Sequence, residues 1–394
     1  MNVLIVTPYI SSTYGGISKV ITEIVQQITD TGIFIDIITT NADDLHKLNV
    51  TLNTWIYQEN YRIQYFSCWN RNDLIISFSM LKWLYSHIKN YDIVHIHTIF
   101  SPLISISNWI CQSVKIPYII TPHGMLEPWA LTYKSWKKRL YFKLIEKPSL
   151  ENCNAIQALA SSEEENIKLL GIKSPIFTVT NGVDRQEFEN LPKPDLFYQQ
   201  FPVTKNKTLI LFLGRIDPKK GLDLLAPAFA KVYHKFSQTH LIVAGPDSIG
   251  FLPTVKSYFT KAGCLEAVTF TGMITGELKL SALAAANIYV SPSYSEGFSM
   301  SVLEGMATGL ASVITTGCNF PEAGIANAAK VVDINSDDIA DALIQLLQDS
   351  NEAKNMGVRA RQFILENYTW DRIALKMVAV YQDITSICIH KNTH

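Results

Sequence analysis

The sequence lacks a surplus of either charge. Its 34 Lys and Arg stand against 35 Asp and Glu, a formal net charge of −1. A nucleic-acid binder ordinarily carries a basic excess to neutralise phosphates, so no nucleic-acid partner is expected. There is no run of about 18 uncharged apolar residues, the length that spans a bilayer as a helix. The opening MNVLIVTPYI is shorter than that and has no basic residue before it, so neither a membrane span nor a secretory signal is expected there. The six cysteines (Cys68, Cys111, Cys153, Cys264, Cys318, Cys388) form no C-x-x-C pair, which argues against a zinc ribbon or a dense disulfide framework and for a reducing cytosol. No G-x-G-x-x-G occurs, which disfavours a nicotinamide or flavin enzyme of the usual kind. With 47% hydrophobic and 18% charged residues, disorder, collagen and coiled coil are excluded by composition.

What the chain does have is alternation. Short β-rich apolar runs recur at Val3–Thr7, Ile33–Thr39, Ile93–Ile96, Tyr118–Thr121, Ala155–Leu159 and Ile176–Thr180. Between several of them lie helical spacings such as Ile17–Ile28, whose apolar residues fall on one face. The run Leu191–Lys207 carries three prolines and little periodicity, and reads as a linker. The alternation then restarts with Thr208–Leu213, His240–Ala244, Val268–Thr271, Ile288–Ser291, Ala311–Ile314 and Ala329–Val332. The expected architecture is α/β, with two Rossmann-like doubly wound domains at 1–190 and 208–369 facing across a cleft. The apolar periodicity at 370–390 predicts a last helix; no strand follows it, so it is expected to cross back onto the first domain.

In such sheets ligands bind beyond the carboxyl ends of the strands, so the loops there are the places to look for chemistry. Gly15 and Gly16 stand between the first strand and the Ile17 helix, where backbone can approach a ligand and a helix start offers free N–H groups. A plain strand-to-helix turn would need the same glycines. After the first strand of the second half comes Gly214-Arg215-Ile216-Asp217-Pro218-Lys219-Lys220-Gly221. Arg215 as a planar fork and Lys220 as a point charge could neutralise a diphosphate, whereas Lys219 reads equally as a solvated surface charge. The sharpest pattern runs from Ser291 to Met306: a strand end, a Gly297 turn, then a helix start near Ser299–Ser301. Glu296 precedes that helix and Glu304 lies within it; N–H groups around Ser299–Val302 suit phosphate oxygens and the carboxylates suit hydroxyls, a geometry for a sugar nucleotide. His95 and His97 share one face of a strand and read as structural rather than as metal ligands, since no Cys or carboxylate with ligand spacing accompanies them.

Glu296 and Glu304, with seven residues between them in S-E-G-F-S-M-S-V-L-E-G-M-A, resemble the E-x7-E motif of the retaining GT-B glycosyltransferases of family 4. G-R-I-D-P-K-K-G-L-D at Gly214–Asp223 is similar to that family's phosphate-binding loop, Asn181-Gly182-Val183-Asp184 to its inter-domain turn, and H-G-M-L-E-P-W at His123–Trp129 to the active-site histidine segment of bacterial members that build surface polysaccharides. The resemblance implies that Arg215 and Lys220 grip the donor diphosphate, that Glu304 accepts from the ribose hydroxyls and that Glu296 meets the hydroxyls of the transferred sugar. It implies that the segment Gly297, Phe298, Ser299, Met300, Ser301 and Val302 lines phosphate and sugar through backbone groups. His123 would sit against the donor sugar with Gly15 and Gly16 closing over it, and the nucleobase would lie near Gly272-Met273-Ile274.

The implied activity is transfer of a sugar from a nucleotide-diphosphate donor to a hydroxyl of a saccharide or lipid-linked acceptor, with anomeric retention, in surface polysaccharide or glycolipid synthesis. No D-x-D occurs and the cations can do a metal's electrostatic work, so neither metal nor other cofactor is expected. Two rivals remain: a catalytically silent sugar-nucleotide scaffold and a nucleotide-sugar 2-epimerase. The stretch Tyr133–Lys147 is basic and aromatic. It fits a helix lying on an anionic membrane surface, or equally a core-packed helix with a solvated basic face. A cytoplasmic protein is expected, either free or peripheral on the inner face of the membrane.

Overall fold

The computed structural model describes residues 1–43, 46–71, 74–132 and 135–392. Two compact units divide the chain: Met1–Asn181 together with Trp370–His394, and Gly182–Thr369.

The N-terminal unit is built on one eight-stranded sheet. Its strands are β1 (Asn2–Val6), β2 (Phe34–Thr40), β3 (Trp55–Tyr57), β4 (Arg62–Phe66), β5 (Ile93–His97), β6 (Tyr118–Thr121), β7 (Ala155–Ala158) and β8 (Ile176–Thr178), in the spatial order β8-β7-β6-β5-β1-β2-β4-β3. All neighbours are parallel except the edge pair β3 and β4. The inner strands read as continuous apolar runs because helices cover both faces of a parallel sheet. Val3, Leu4, Val6, Ile93, Val94 and Ile96 are fully buried, each such side chain contributing about 1.5–3 kcal/mol relative to exposure. The chain order reverses between β1 and β5, so the loops after these two strands diverge and leave a crevice at their carboxyl ends. The helix Trp370–Asn392 packs beside the helix Gly16–Thr29 in this unit, and its Tyr381 reaches His95 of β5.

The C-terminal unit repeats the plan with six parallel strands: β9 (Thr208–Leu213), β10 (Thr239–Ala244), β11 (Val268–Gly272), β12 (Ile288–Ser291), β13 (Ala311–Thr315) and β14 (Lys330–Val332). Their order is β11-β10-β9-β12-β13-β14, with the reversal between β9 and β12. These two strands pair only at Ile210–Ile288 and Leu211–Tyr289. Beyond those pairs they separate, and their loops carry the cation run and the Glu296 turn.

The expected linker at 191–207 is not one. It belongs to the C-terminal unit, where Pro194 and Pro202 punctuate helical starts at Asp195–Gln200 and Pro202–Thr204, a position that tolerates a missing N–H. Phe197 is buried, its N–H donates to Ser281 Oγ (3.0 Å), and Ser281 Oγ donates to the Lys193 carbonyl (3.0 Å). The chain passes between the units earlier, at Asn181 and Gly182.

Candidate active site

In the C-terminal unit the reversal point gathers charge. The loop after β9 turns at Gly221 in a left-handed conformation (φ 68°), and a Cβ there would lie 1.9 Å from the Pro292 carbonyl oxygen. Only glycine lets the cation loop press against the loop that follows β12. Gly317 makes the same allowance on the other side, where a Cβ would meet the Ser293 carbonyl oxygen at 2.3 Å. Between these close approaches lies Glu296. Its N–H donates to the Gly317 carbonyl (2.8 Å), its own carbonyl accepts from Asn319 Nδ2 (2.6 Å), and the Tyr294 N–H donates to the Lys219 carbonyl (2.8 Å).

The Glu296 carboxylate is buried and accepts at Oε1 from Lys220 Nζ (2.5 Å) and Ser293 Oγ (2.7 Å), with Lys219 Nζ at 4.0 Å from Oε2. Burial alone would push this carboxyl up, but the Lys220 and Lys219 ammonium groups and the two hydrogen bonds overcome it and hold the group at about 2. It is an anion throughout the working pH range, an acceptor of hydrogen bonds rather than a proton donor. Lys219 is held below the usual lysine range by burial, against the pull of Glu296 and with Lys220 and Arg215 crowding it. Arg215 has no ion-pair partner among the described residues, so Lys220 is already tied to Glu296 while Arg215 is the uncommitted cation of the loop.

The helix Met300–Ala307 begins beside this cluster with Ser299 at its N-cap, and Ser299 makes no side-chain capping bond to the first turn. Its hydroxyl pairs instead with Ser301 Oγ (3.2 Å), which also accepts from Tyr289 Oη (2.9 Å). First-turn N–H groups therefore remain available to an anion. The Phe298 ring is not turned to a ligand: it packs against Phe320 and Tyr368 with ring centroids 4.9 and 5.8 Å away, leaving only its backbone on the loop. Val302 is buried and Met273 is half-exposed on the loop after β11.

Glu304 carries an ion pair that nothing local in the sequence signals. Lys279, on the helix Gly276–Ala285, donates to Glu304 Oε1 at 2.9 Å and lies 3.4 Å from Glu187 Oε1. The nearly buried ammonium joins two carboxylates that stand far apart in the chain.

The reversal point of the N-terminal unit is chemically different. Gly15 (φ 77°) caps the helix Gly16–Thr29 after β1 without any side-chain capping bond. Beyond β5 and β6 three non-glycine residues take left-handed backbone, Thr98 (φ 73°), Phe100 (φ 61°) and His123 (φ 55°), a costly conformation that clusters at functional sites. The turn at His123 is braced by buried Glu163, which accepts from the N–H groups of Gly124 (2.6 Å) and Leu159 (2.7 Å). Burial pushes the Glu163 carboxyl up to about 7, against the two backbone donors. His95 and His97 stack with centroids 4.3 Å apart, and His97 Nδ1 lies 2.9 Å from His123 Nε2. Burial holds His95 and His123 at about 3 and His97 well below the ordinary range, so all three rings are neutral.

Of the basic stretch, Tyr133 and Lys134 and the Lys137 side chain lie outside the described residues. Lys138 sits over the Phe100 ring (4.5 Å) and Lys147 donates to the Leu170 carbonyl (2.9 Å), so these two are engaged within the unit. Arg139 and Lys143 are exposed beside Trp136 (69% exposed), Leu140, Leu144 (64%) and Ile145. No helix among the described residues is long and apolar enough to cross a membrane.

Residues 14–187 match the family described as Glycosyltransferase Family 4, and residues 195–363 the family described as Glycosyl transferases group 1. A phosphatidyl-myo-inositol mannosyltransferase of Mycolicibacterium smegmatis is 25% identical over 309 residues, 77% of this chain and 74% of its own length. An uncharacterised glycosyltransferase of Methanocaldococcus jannaschii is 24% identical over 75% of this chain and 76% of its own. Among solved structures, the sucrose-phosphate synthase of Thermosynechococcus elongatus superposes with a TM-score of 0.79 at 19% identity, covering 98% of this chain and 100% of its own. HepE of Anabaena, solved with UDP-glucose, superposes at 0.75 and 14% identity over 97% of this chain and 100% of its own. With both halves of its sequence matched in order and two doubly wound units in its structure, the chain belongs to the family 4 glycosyltransferases and has the GT-B fold.

Proposed function

We propose that the protein is a retaining, metal-independent glycosyltransferase that moves a sugar from a nucleotide-diphosphate donor to a hydroxyl of a saccharide or lipid-linked acceptor in surface polysaccharide or glycolipid synthesis. The observation that carries this reading is the reversal point of the C-terminal unit, where Arg215, Lys219, Lys220, Glu296 and an uncapped helix start meet. A nucleoside diphosphate leaves well only if the charge growing on its β-phosphate is stabilised, and fixed cations with a helix N-terminus supply that stabilisation. Arg215 is the fork for the phosphates. Lys220 shares its charge between them and Glu296, and the Glu296 carboxylate orients a sugar hydroxyl. Glu304, set by Lys279, accepts from the ribose. His123 and the Gly15-Gly16 turn meet the transferred sugar.

Because Glu296 is fixed by Lys220 and Ser293, it serves as an acceptor and not as a nucleophile. Retention then follows from attack on the face the diphosphate leaves, with the departing phosphate oxygen taking the acceptor's proton. The exposed Trp136, Leu140 and Leu144 beside Arg139 and Lys143 support contact with an anionic membrane surface on the cytoplasmic side, where a lipid-linked acceptor resides.

The HepE structure contains UDP-glucose, and a related mannosyltransferase of Mycobacterium tuberculosis is described as GDP-mannose-dependent, so UDP- and GDP-sugars lead the donor series. Thermal shift against UDP-, GDP- and ADP-sugars should find one that stabilises by about 2.7 kcal/mol at a hundred times its dissociation constant. Incubation of that donor with saccharide acceptors should give a product of unchanged anomeric configuration by NMR. Donor converted without acceptor would point to the epimerase, and binding without turnover to the scaffold.

A further inference from the structure

The hydrogen bonds behind His123 fix more than a position. Gln157 Nε2 donates to the Val179 carbonyl (2.7 Å), which can only accept, so Gln157 Oε1 is the atom facing Thr121 and takes its hydroxyl proton (2.7 Å). Having given that proton away, Thr121 Oγ1 can only accept from His95 Nε2 (2.6 Å). Neutral His95 therefore carries its proton on Nε2, and its bare Nδ1 accepts from Tyr381 Oη (2.7 Å) on the C-terminal helix. This locked ring is stacked on His97, and His97 Nδ1 in turn engages His123 Nε2 at 2.9 Å. With both rings neutral, one proton serves that bond, and His123 is left with Nδ1 as its outward nitrogen, which has no hydrogen-bond partner among the described residues.

We propose that His97 is a positioning residue that holds His123 through Nε2, so that His123 meets the transferred sugar through Nδ1. The inference rests on the reading of His123 as a donor-sugar contact and adds which nitrogen works and what fixes it. If His97 gives the proton, Nδ1 of His123 is an N–H donor toward a sugar oxygen; if His123 gives it, Nδ1 is an acceptor for a sugar hydroxyl. In either case a second-layer hydrogen bond sets ring orientation and tautomer, the role that carboxylates and carbonyls play behind many functional imidazoles.

Two measurements on the full chain test this. His97→Asn keeps a polar atom near the place of Nδ1, whereas His97→Leu removes it at similar volume. The Leu variant should lose about tenfold or more in kcat, the usual cost of deleting an outer-layer partner, with donor KM within about twofold and the Asn variant recovering most of the loss. Unchanged kcat in the Leu variant, or equal loss in both variants, would overturn the proposal. Separately, long-range 1H–15N spectra of histidine-labelled protein, assigned with His123→Asn, should show one neutral tautomer for His123 that becomes a mixture in His97→Leu. On adding the stabilising donor, the Nδ1 resonance of His123 should move and Nε2 should not. A single unchanged tautomer in His97→Leu, or movement at Nε2, would refute it. If no sugar nucleotide is turned over or bound by the parent chain, the functional reading fails, and the tautomer comparison still decides what His97 does.

Discussion

The two units share one topology and spend it on opposite chemistry. Both wind a parallel sheet outward from a central strand and then reverse, and both place their singular residues at or just beyond the carboxyl ends of the strands around that reversal. In the C-terminal unit those loops carry formal charges, with Lys220 on Glu296, and two helices of the unit add Lys279 on Glu304. In the N-terminal unit the corresponding crevice holds three uncharged imidazoles, His95 stacked on His97 and His97 hydrogen-bonded to His123. All seven tryptophans, Trp55, Trp69, Trp83, Trp109, Trp129, Trp136 and Trp370, belong to the N-terminal unit, and the C-terminal unit has none. A diphosphate needs fixed counter-charge, whereas a sugar or a lipid headgroup is met by hydroxyl-sized hydrogen bonds and apolar rings. The fold supplies the location, and the residues planted there decide which kind of molecule each location can take.

Charge removal should break the contrast most sharply. Arg215→Ala and Lys220→Ala should each slow transfer about a hundredfold, as for loss of a charge-stabilising group. Only Lys220→Ala strands a buried carboxylate, which should cost about 3–5 kcal/mol of stability, so its melting temperature should fall while that of Arg215→Ala holds. Adding Glu296→Gln to Lys220→Ala should return the stability without the activity, by calorimetry against initial rates.

Acid should next separate the units by stability. Buried His95 and half-buried His123 resist protonation until about pH 3 against an ordinary 6.5, so the unfolded chain gains protons first and stability falls as pH drops below 6.5. Each of these two should cost on the order of 2 kcal/mol between pH 7 and pH 5, and His97 acts in the same direction. Glu163, raised to about 7, works oppositely: its contribution is present below 4.5 and is lost as pH rises through 7. In the C-terminal unit Glu296 stabilises above 4.5 and loses that contribution only as pH falls toward 2, with His240 alone adding a histidine loss. Tryptophan fluorescence, which reports one unit only, should therefore show the larger drop in melting temperature at pH 5, and circular dichroism the smaller. Glu163→Gln should deepen the fluorescence drop.

Smaller effects should sharpen the comparison. On the proposed reading, in which the cation loop does a metal's electrostatic work, transfer should persist in excess chelator; loss restored by Mg²⁺ or Mn²⁺ would reverse that assignment. Leu140→Gln with Leu144→Gln should weaken co-sedimentation with anionic vesicles several-fold and leave donor binding untouched.

The alternating strands were legible because a strand covered on both faces has to be apolar along its length, as Asn2–Val6 and Thr208–Leu213 are after their first residue. The strand Arg62–Phe66, next to the sheet edge, was not, since only part of it is buried and Arg62 holds Asp36 and covers the Trp55 ring. The prolines of 191–207 suggested a break where they begin short helices. In the candidate site, Glu296, Arg215 and Lys220 stand out because charges flank glycine turns at strand ends. Lys279 does not, because an isolated lysine on a helix reads as solvated and its partner Glu304 is 25 residues away. The direction of the Phe298 ring is illegible for the related reason that it is set by Phe320 and Tyr368, neither of which is near in sequence.

The return of the chain at its end bears on how such a molecule can be rebuilt. Val183 and Thr369 form a parallel bridge, and the Val183 N–H donates to the Tyr368 carbonyl (2.9 Å), so the segment 182–369 begins and ends at one spot. It is thus a cassette inserted into its host rather than a tail appended to it. A short bypass peptide joining Asn181 to Trp370 would let the host be made alone with its Tyr381 prop in place, and exchanging the cassette for a relative's would test whether nucleotide preference travels with it while His95, His97 and His123 stay as they are.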